Sequence, residues 1–117
     1  MSIDVQALFT NIPHIDGLDS LRVGLNKRLN KKIPTDFLVQ LMQTVLKNNI
    51  FTFYNNFFKQ DIGAAMGSRP VPTYANTFMA EKIDSKIQFL AEKYRKQNEN
   101  SPIRLQKRFL DDLFYVF

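Results

Sequence analysis

The sequence predicts an α+β fold, with short antiparallel strands and amphipathic helices following one another along the chain. Three observations predict it. Apolar residues recur at helical spacing in Leu18/Leu21/Leu25/Leu29 and again in Phe37/Leu38/Leu41/Met42/Val45/Leu46. Two pairs of apolar runs flank short polar tips, Asn55-Asn56 and Asp111-Asp112, as strands flank the turn of a hairpin. A third stripe, Met79/Ile83/Ile87/Leu90/Tyr94, marks a long helix between those hairpins.

Ser2 to Thr10 reads as the first strand, because Ile3, Val5, Ala7 and Phe9 alternate with other residues. Asn11-Ile12-Pro13 ends it, since Pro13 has no N–H to give a ladder. Ile15 to Leu29 reads as a helix, weakened slightly by Gly24. Pro34-Thr35 is a helix-start signal, and the helix it opens runs to about Lys47, where Asn48-Asn49 stops it. Ile50 to Tyr54 and Phe57 to Gln60 form a hairpin around Asn55-Asn56, a residue type that tolerates positive φ. Asp61 to Pro72 is a Gly- and Pro-bearing loop, and a long helix follows from about Thr73 to Gln97. Asn98 to Pro102 is a polar break. Arg104 to Leu110 and Leu113 to Phe117 read as the last two strands. An apolar strand at one terminus and another by the second residue suggest a piece of a longer polypeptide.

A chain of 117 residues is one domain or part of one, and its 44% apolar content argues against disorder. The absence of cysteine excludes disulfides, thiolate metal sites and a Cys nucleophile. His14 is the only histidine, so a His-cluster metal site is excluded too. A bound metal must be held by oxygen, which points to magnesium or calcium. Sixteen Lys and Arg against eleven acids give a net charge of +5, which favours anionic partners such as nucleic acid. No apolar run reaches the ~18–20 residues of a membrane span, and no signal peptide is visible, so no membrane partner is expected.

Three constellations carry possible chemistry. Asp111-Asp112 lies between two apolar strands; it is either an ordinary acidic turn or a carboxylate pair for a divalent metal. Asp4 interrupts the first apolar strand; it is either an edge residue facing water or a third ligand. Three acids together could hold two magnesium ions about 3.5–4 Å apart. The loop from Gln60 to Pro72 is either a plain connector or an approach to a phosphate at a helix start.

Taken in order, these residues resemble the palm of a reverse transcriptase, most closely the enzymes of Penelope-like retroelements. Asp4 to Pro13 resembles the first catalytic motif of that family. Gln60 to Met79, with Gly63, Ala65-Met66-Gly67, Pro72 and Tyr74-Ala75-Asn76, resembles its nucleotide-positioning motif. Arg108-Phe109-Leu110-Asp111-Asp112-Leu113-Phe114 resembles its second catalytic motif. Telomerase catalytic subunits share the palm plan but fit the middle motif less well. Ala64, Pro70, Val71 and Thr77 depart from the family pattern, and none of them replaces a catalytic acid.

The resemblance implies a partial polymerase palm over residues 1–117, a single incomplete domain with an antiparallel sheet backed by helices and with fingers and thumb missing. It implies an RNA-directed DNA polymerase that transfers a nucleotide from a deoxynucleoside triphosphate to a primer 3′-hydroxyl with two Mg2+ ions. Asp4, Asp111 and Asp112 would be catalytic and metal-binding, Asp112 less directly, with the Val5 carbonyl as an extra ligand. Phe9 falls where the family has an aromatic gate against the 2′-hydroxyl; plain core packing is the other reading of that position. Met66 and Gly67 would line the nucleotide pocket. The implied partners are an RNA template, a DNA primer, deoxynucleoside triphosphates and the rest of the polymerase; the isolated chain is expected to be inactive. An intracellular, nuclear location is expected. A decayed, non-catalytic nucleic-acid-binding remnant is the alternative, and a basic α+β domain with coincidental motifs is a third. Lys27, Arg28, Lys31 and Lys32, the group Lys82, Lys86, Lys93, Arg95 and Lys96, and the group Arg104, Lys107 and Arg108 are either solvated charges or phosphate contacts. His14 is expected to be a structural or surface residue.

Overall fold

The computed structural model describes residues 1–98 and 103–117. In chain order its elements are β1 (Ser2–Asp4), α1 (Leu8–Asn11), α2 (His14–Asn26), α3 (Thr35–Lys47), β2 (Ile50–Phe53), β3 (Asn56–Lys59), α4 (Val71–Met79), a π-helical turn (Ala80–Asp84), α5 (Ser85–Asn98), β4 (Leu105–Phe109) and β5 (Asp112–Val116). The α+β class holds, with helices and two small antiparallel sheets. Of the polar break expected at Asn98 to Pro102, Asn98 closes α5 and the rest lies outside the described residues.

The first strand is much shorter than expected. After Asp4 the chain leaves the sheet, Ala7 takes a left-handed φ of 50°, and Leu8–Asn11 coil into α1. The alternation Ile3/Val5/Ala7/Phe9 coincides with a second pattern, Val5/Leu8/Phe9/Ile12, at helical spacing. The second pattern wins because it puts Leu8 and Ile12 into the core and leaves Ala7 exposed. Helix α2 begins at His14 and stops at Asn26, so Leu29 lies beyond it, fully exposed. Helix α3 starts directly after Pro34 and buries Val39, Met42 and Leu46, while Phe37 and Leu41 stay exposed. In the middle hairpin the turn is Tyr54-Asn55, both at positive φ, one residue earlier than expected. That register sets Phe51 opposite Phe58, whose rings stack at 5.6 Å. The long helix opens at Val71 and is broken into α4 and α5 by the π turn.

β5 is the central strand of the larger sheet, in the order β1-β5-β4, and both pairings are antiparallel. Alternation gives this sheet two unlike faces. Leu113 and Tyr115, with Gln106 and Arg108 opposite them, face the helices. Asp4, Asp112, Lys107, Phe109 and Phe114 face the open side. The core lies on the helix side and joins Leu8, Ile12, Met42, Leu46, Val71, Tyr74, Met79, Leu113 and Tyr115. The molecule is flat, 58 × 39 × 19 Å, with a radius of gyration of 17.1 Å. A compact chain of this length has about 13 Å. The hairpin β2–β3 contributes to the excess, since all of its residues are exposed.

The tightest point of the core is where α2 meets α4. A Cβ on Gly17 would stand 1.8 Å from the Tyr74 hydroxyl oxygen and 2.8 Å from Ile12 Cγ2. Tyr74 is fully buried, and its hydroxyl has no hydrogen-bond partner. Burial pushes that hydroxyl from about 10 up to about 12, and the Asp16 carboxylate adds to the shift. Gly17→Ala should therefore destabilise the fold by about 1–3 kcal/mol in urea unfolding. Tyr74→Phe should leave stability within about 1 kcal/mol of wild type or raise it, because the lost hydroxyl bonds nothing. The folded pKa lies above the unfolded one, so this contribution is complete below pH 10 and fades as pH rises through 12. Tyr74→Phe should accordingly lose less stability than wild type across that window.

Candidate metal centre

The acidic site is assembled by backbone pairing. Asp4, the last residue of β1, stands opposite Asp112, the first residue of β5. Past that pair the Val5 N–H donates to the Asp111 carbonyl at 3.1 Å, so the two chains stay together for one more residue. The last hairpin does not turn at Asp111-Asp112 as the sequence suggests. Phe109 pairs with Asp112, the two turn residues are Leu110 and Asp111, and Leu110 carries a positive φ of 52°. The shift of one residue separates the adjacent acids, Asp111 lying in the turn and Asp112 in the strand. Even so, one carboxylate oxygen from each of Asp4, Asp111 and Asp112 lies within 4.8 Å of the others. Asp4 and Asp112 are exposed and Asp111 is half-buried. None of the three forms an ion pair among the described residues.

This donor set fits a hard divalent cation. It consists of carboxylates only, two of the three are exposed to water, and none is ion-paired among the described residues. Magnesium keeps several waters and takes one or two carboxylates with substrate phosphates, which an open trio of this kind permits. A soft or borderline metal would require sulfur or several imidazoles, and the chain has no cysteine and a single histidine.

The other expected site residues fall as follows. Val5 is beside the trio through its bond to Asp111, and its side chain packs on the core. Phe9 sits on α1, not on a strand, and packs in part against the core. The glycine loop is tied to the same short helix. The Ala64 N–H donates to the Phe9 carbonyl at 2.7 Å, and the His14 imidazole N–H donates to the Gly63 carbonyl at 2.7 Å. Gly63, at φ 75°, passes so close to Thr10 that a Cβ would meet its carbonyl oxygen at 2.3 Å. Met66 is exposed, and beyond its chain neighbours Gly67 has nothing within 4 Å of its Cβ position. The loop thus presents these two residues on an open surface. An apolar cleft of about 390 Å³ between α2 and α3, lined by leucines, Met42 and Val45, has few polar groups to orient a ligand.

Arg108 corrects a sequence expectation. Grouped with Arg104 and Lys107 as either a solvated charge or a phosphate contact, it instead turns to the helix side of the sheet, where its side chain is only 11% exposed. Its Nε–H donates to Asp84 Oδ2 at 2.9 Å, and its Nη1 donates to Asn76 Oδ1 at 2.5 Å and to the Leu110 carbonyl at 3.0 Å. Gln106 adds a bond to Asp84 at 3.3 Å. Burial pushes the neighbouring Tyr115 hydroxyl up in pKa; Asp84 adds to that shift and Arg108 opposes it. Other basic residues are also engaged within the fold: Lys27 with Glu81, Lys82 with Asp19, and Arg28 with the Ile33 carbonyl. Lys31, Lys32, Lys86, Lys93, Arg95, Lys96, Arg104 and Lys107 remain exposed.

Asp84 is absent from the sequence-derived site, Asn76 entered it only as part of the stretch resembling the nucleotide-positioning motif, and Arg108 only as part of the second catalytic motif. One signal was present: within β4, Gln106 and Arg108 share the parity that faces inward, and an inward charge requires a partner. Comparison with family models, curated proteins and solved structures finds no match to the chain.

Three like charges this close destabilise the metal-free fold. In metal-free buffer Asp112→Asn should raise unfolding stability by about 1 kcal/mol, the scale of two unit charges ~4–5 Å apart in water. Urea titration with and without magnesium checks this, and the gain should vanish or reverse once the cation is added.

Proposed function

We propose that the chain is the palm portion of an RNA-directed DNA polymerase of the Penelope-like kind, acting in nucleotidyl transfer. The observation that carries this reading is the convergence of Asp4 with Asp111 and Asp112. The motif resemblance requires that convergence, and the register of β1 on β5 supplies it. Further support comes from the open sheet face around the acids, flanked by Lys107 and Phe109, and from the joining of the Phe9 helix to the glycine loop.

In this reading Asp4 and Asp111, with Asp112 in a less direct role and the Val5 carbonyl alongside, would hold two magnesium ions, which would supply stabilisation of charge on the attacking and leaving oxygens. The primer 3′-hydroxyl gives up its proton to water, its oxygen forms a bond to the α-phosphorus, and the bond from that phosphorus to the pyrophosphate oxygen breaks, so that pyrophosphate leaves. The contribution of the chain is to fix the acids on paired strands, so that little reorganisation is needed during transfer. Phe9 sets sugar selection by occupying the space that a 2′-hydroxyl would need. In such a polymerase, fingers and thumb would position triphosphate and duplex.

Joined to flanking fingers and thumb, the chain should extend a primer on an RNA template with deoxynucleotides and magnesium. Asp111→Asn should lower incorporation about 10²- to 10³-fold, the scale of losing one preorganised electrostatic contact. Undiminished extension by that variant would overturn the reading. Template binding without any incorporation by wild type would favour the non-catalytic remnant. In the same assay Phe9→Ala should admit ribonucleotides, and unchanged sugar selection would remove Phe9 from its assigned role.

A further inference from the structure

Leu110 is a bulky residue in a left-handed turn position, φ 52°, which L side chains seldom adopt. It immediately precedes Asp111, so its conformation sets the direction in which the Asp111 carboxylate leaves the turn. The Leu110 carbonyl accepts a bond from Arg108 Nη1, and the same guanidinium is fixed at two other points, Asp84 Oδ2 and Asn76 Oδ1. Asn76 and Asp84 are eight residues apart on one continuous helical run. Two α-helical turns take about 7.2 residues, so in an uninterrupted α-helix Asp84 would overshoot Asn76 by most of a residue. The wider π turn at Ala80–Asp84 absorbs that excess and brings both groups to the face that meets β4. Helix, π turn and strand thus meet at one nearly buried guanidinium directly behind the acidic turn.

We propose that Arg108 is a positioning residue: anchored by Asp84 and Asn76, it locks the Leu110-Asp111 turn so that Asp111 is held toward Asp4 and Asp112 for cation binding. This rests on the reading of the trio as a metal centre. Arg108 lies on the opposite face of the sheet from Asp4 and Asp112 and touches none of the three carboxylates, so it acts through the backbone.

The sign of one measurement separates this role from a bystander charge. Removing a cation near an acidic site strengthens divalent binding by simple electrostatics, whereas loss of a positioning contact weakens it, typically about 10–100-fold. The full chain is titrated with Mn2+, free ion being followed by electron paramagnetic resonance and folding by circular dichroism. Wild type should bind the ion, and Arg108→Gln should bind it at least about 10-fold more weakly. Arg108→Lys keeps the charge but lacks the planar fork, and should also bind weakly. Asn76→Ala, a change at an exposed and uncharged position, should weaken binding several-fold with the fold intact; this variant carries the test if the Arg108 variants do not fold. Equal or tighter binding in folded Arg108→Gln or Asn76→Ala overturns the positioning role while leaving the metal centre standing. Failure of the wild type to bind Mn2+ overturns both.

Discussion

Carboxylates within 4.8 Å of one another repel, and none of these three is ion-paired among the described residues. What holds them together is the antiparallel register of β1 on β5. That register is held by the Ser2–Phe114, Ile3–Leu113 and Asp4–Asp112 pairs and continued at both ends by the bonds of Met1 to Tyr115 and of Val5 to Asp111. Because side chains alternate, a slip of one residue would turn Asp4 to the helix side and leave a charge against Leu113 and Tyr115. Core burial on one face and acid convergence on the other are therefore one constraint seen from two sides.

The helix layer exists to supply that inner face. Helix α4 lies at its centre: Val71, Tyr74, Ala75 and Met79 are buried, and Asn76 reaches the guanidinium of Arg108. Gly17 lets α2 approach closely enough for the Tyr74 ring to fill the space between them. Below the sheet lies the buried core. Away from it the molecule thins to an aromatic hairpin that pairs with no third strand among the described residues, an element too small to be stable alone.

What the sequence made legible was what local pattern determines. Helix α3 follows from Pro34 and its four-residue spacing, and the last hairpin follows from two apolar runs around acids. The three site acids could be named because each is an anomaly in its own segment, and the resemblance linked them. The first strand was misread because Val5 and Phe9 satisfy two periods at once, and only the presence of a core to receive Leu8 and Ile12 selects between them. The turn positions shifted by one residue because they depend on cross-strand partners and on φ, which residue identity constrains weakly in Tyr54 and Leu110. The guanidinium clamp was hidden for a deeper reason. Asp84 shares a face with Asn76 only through a π turn, and no spacing rule anticipates where a helix will widen.

The strands that meet at the acids come from opposite ends of the numbering. The helices and both hairpins close over short separations, but Asp4 reaches Asp112 only by closing the entire stretch between them into a loop. Such contacts bear the largest chain-closure entropy and slow folding. During synthesis the ribosome must release β5 before the acids can converge. A nascent or truncated product that carries Asp4 alone has no companion carboxylates with which to share a dication.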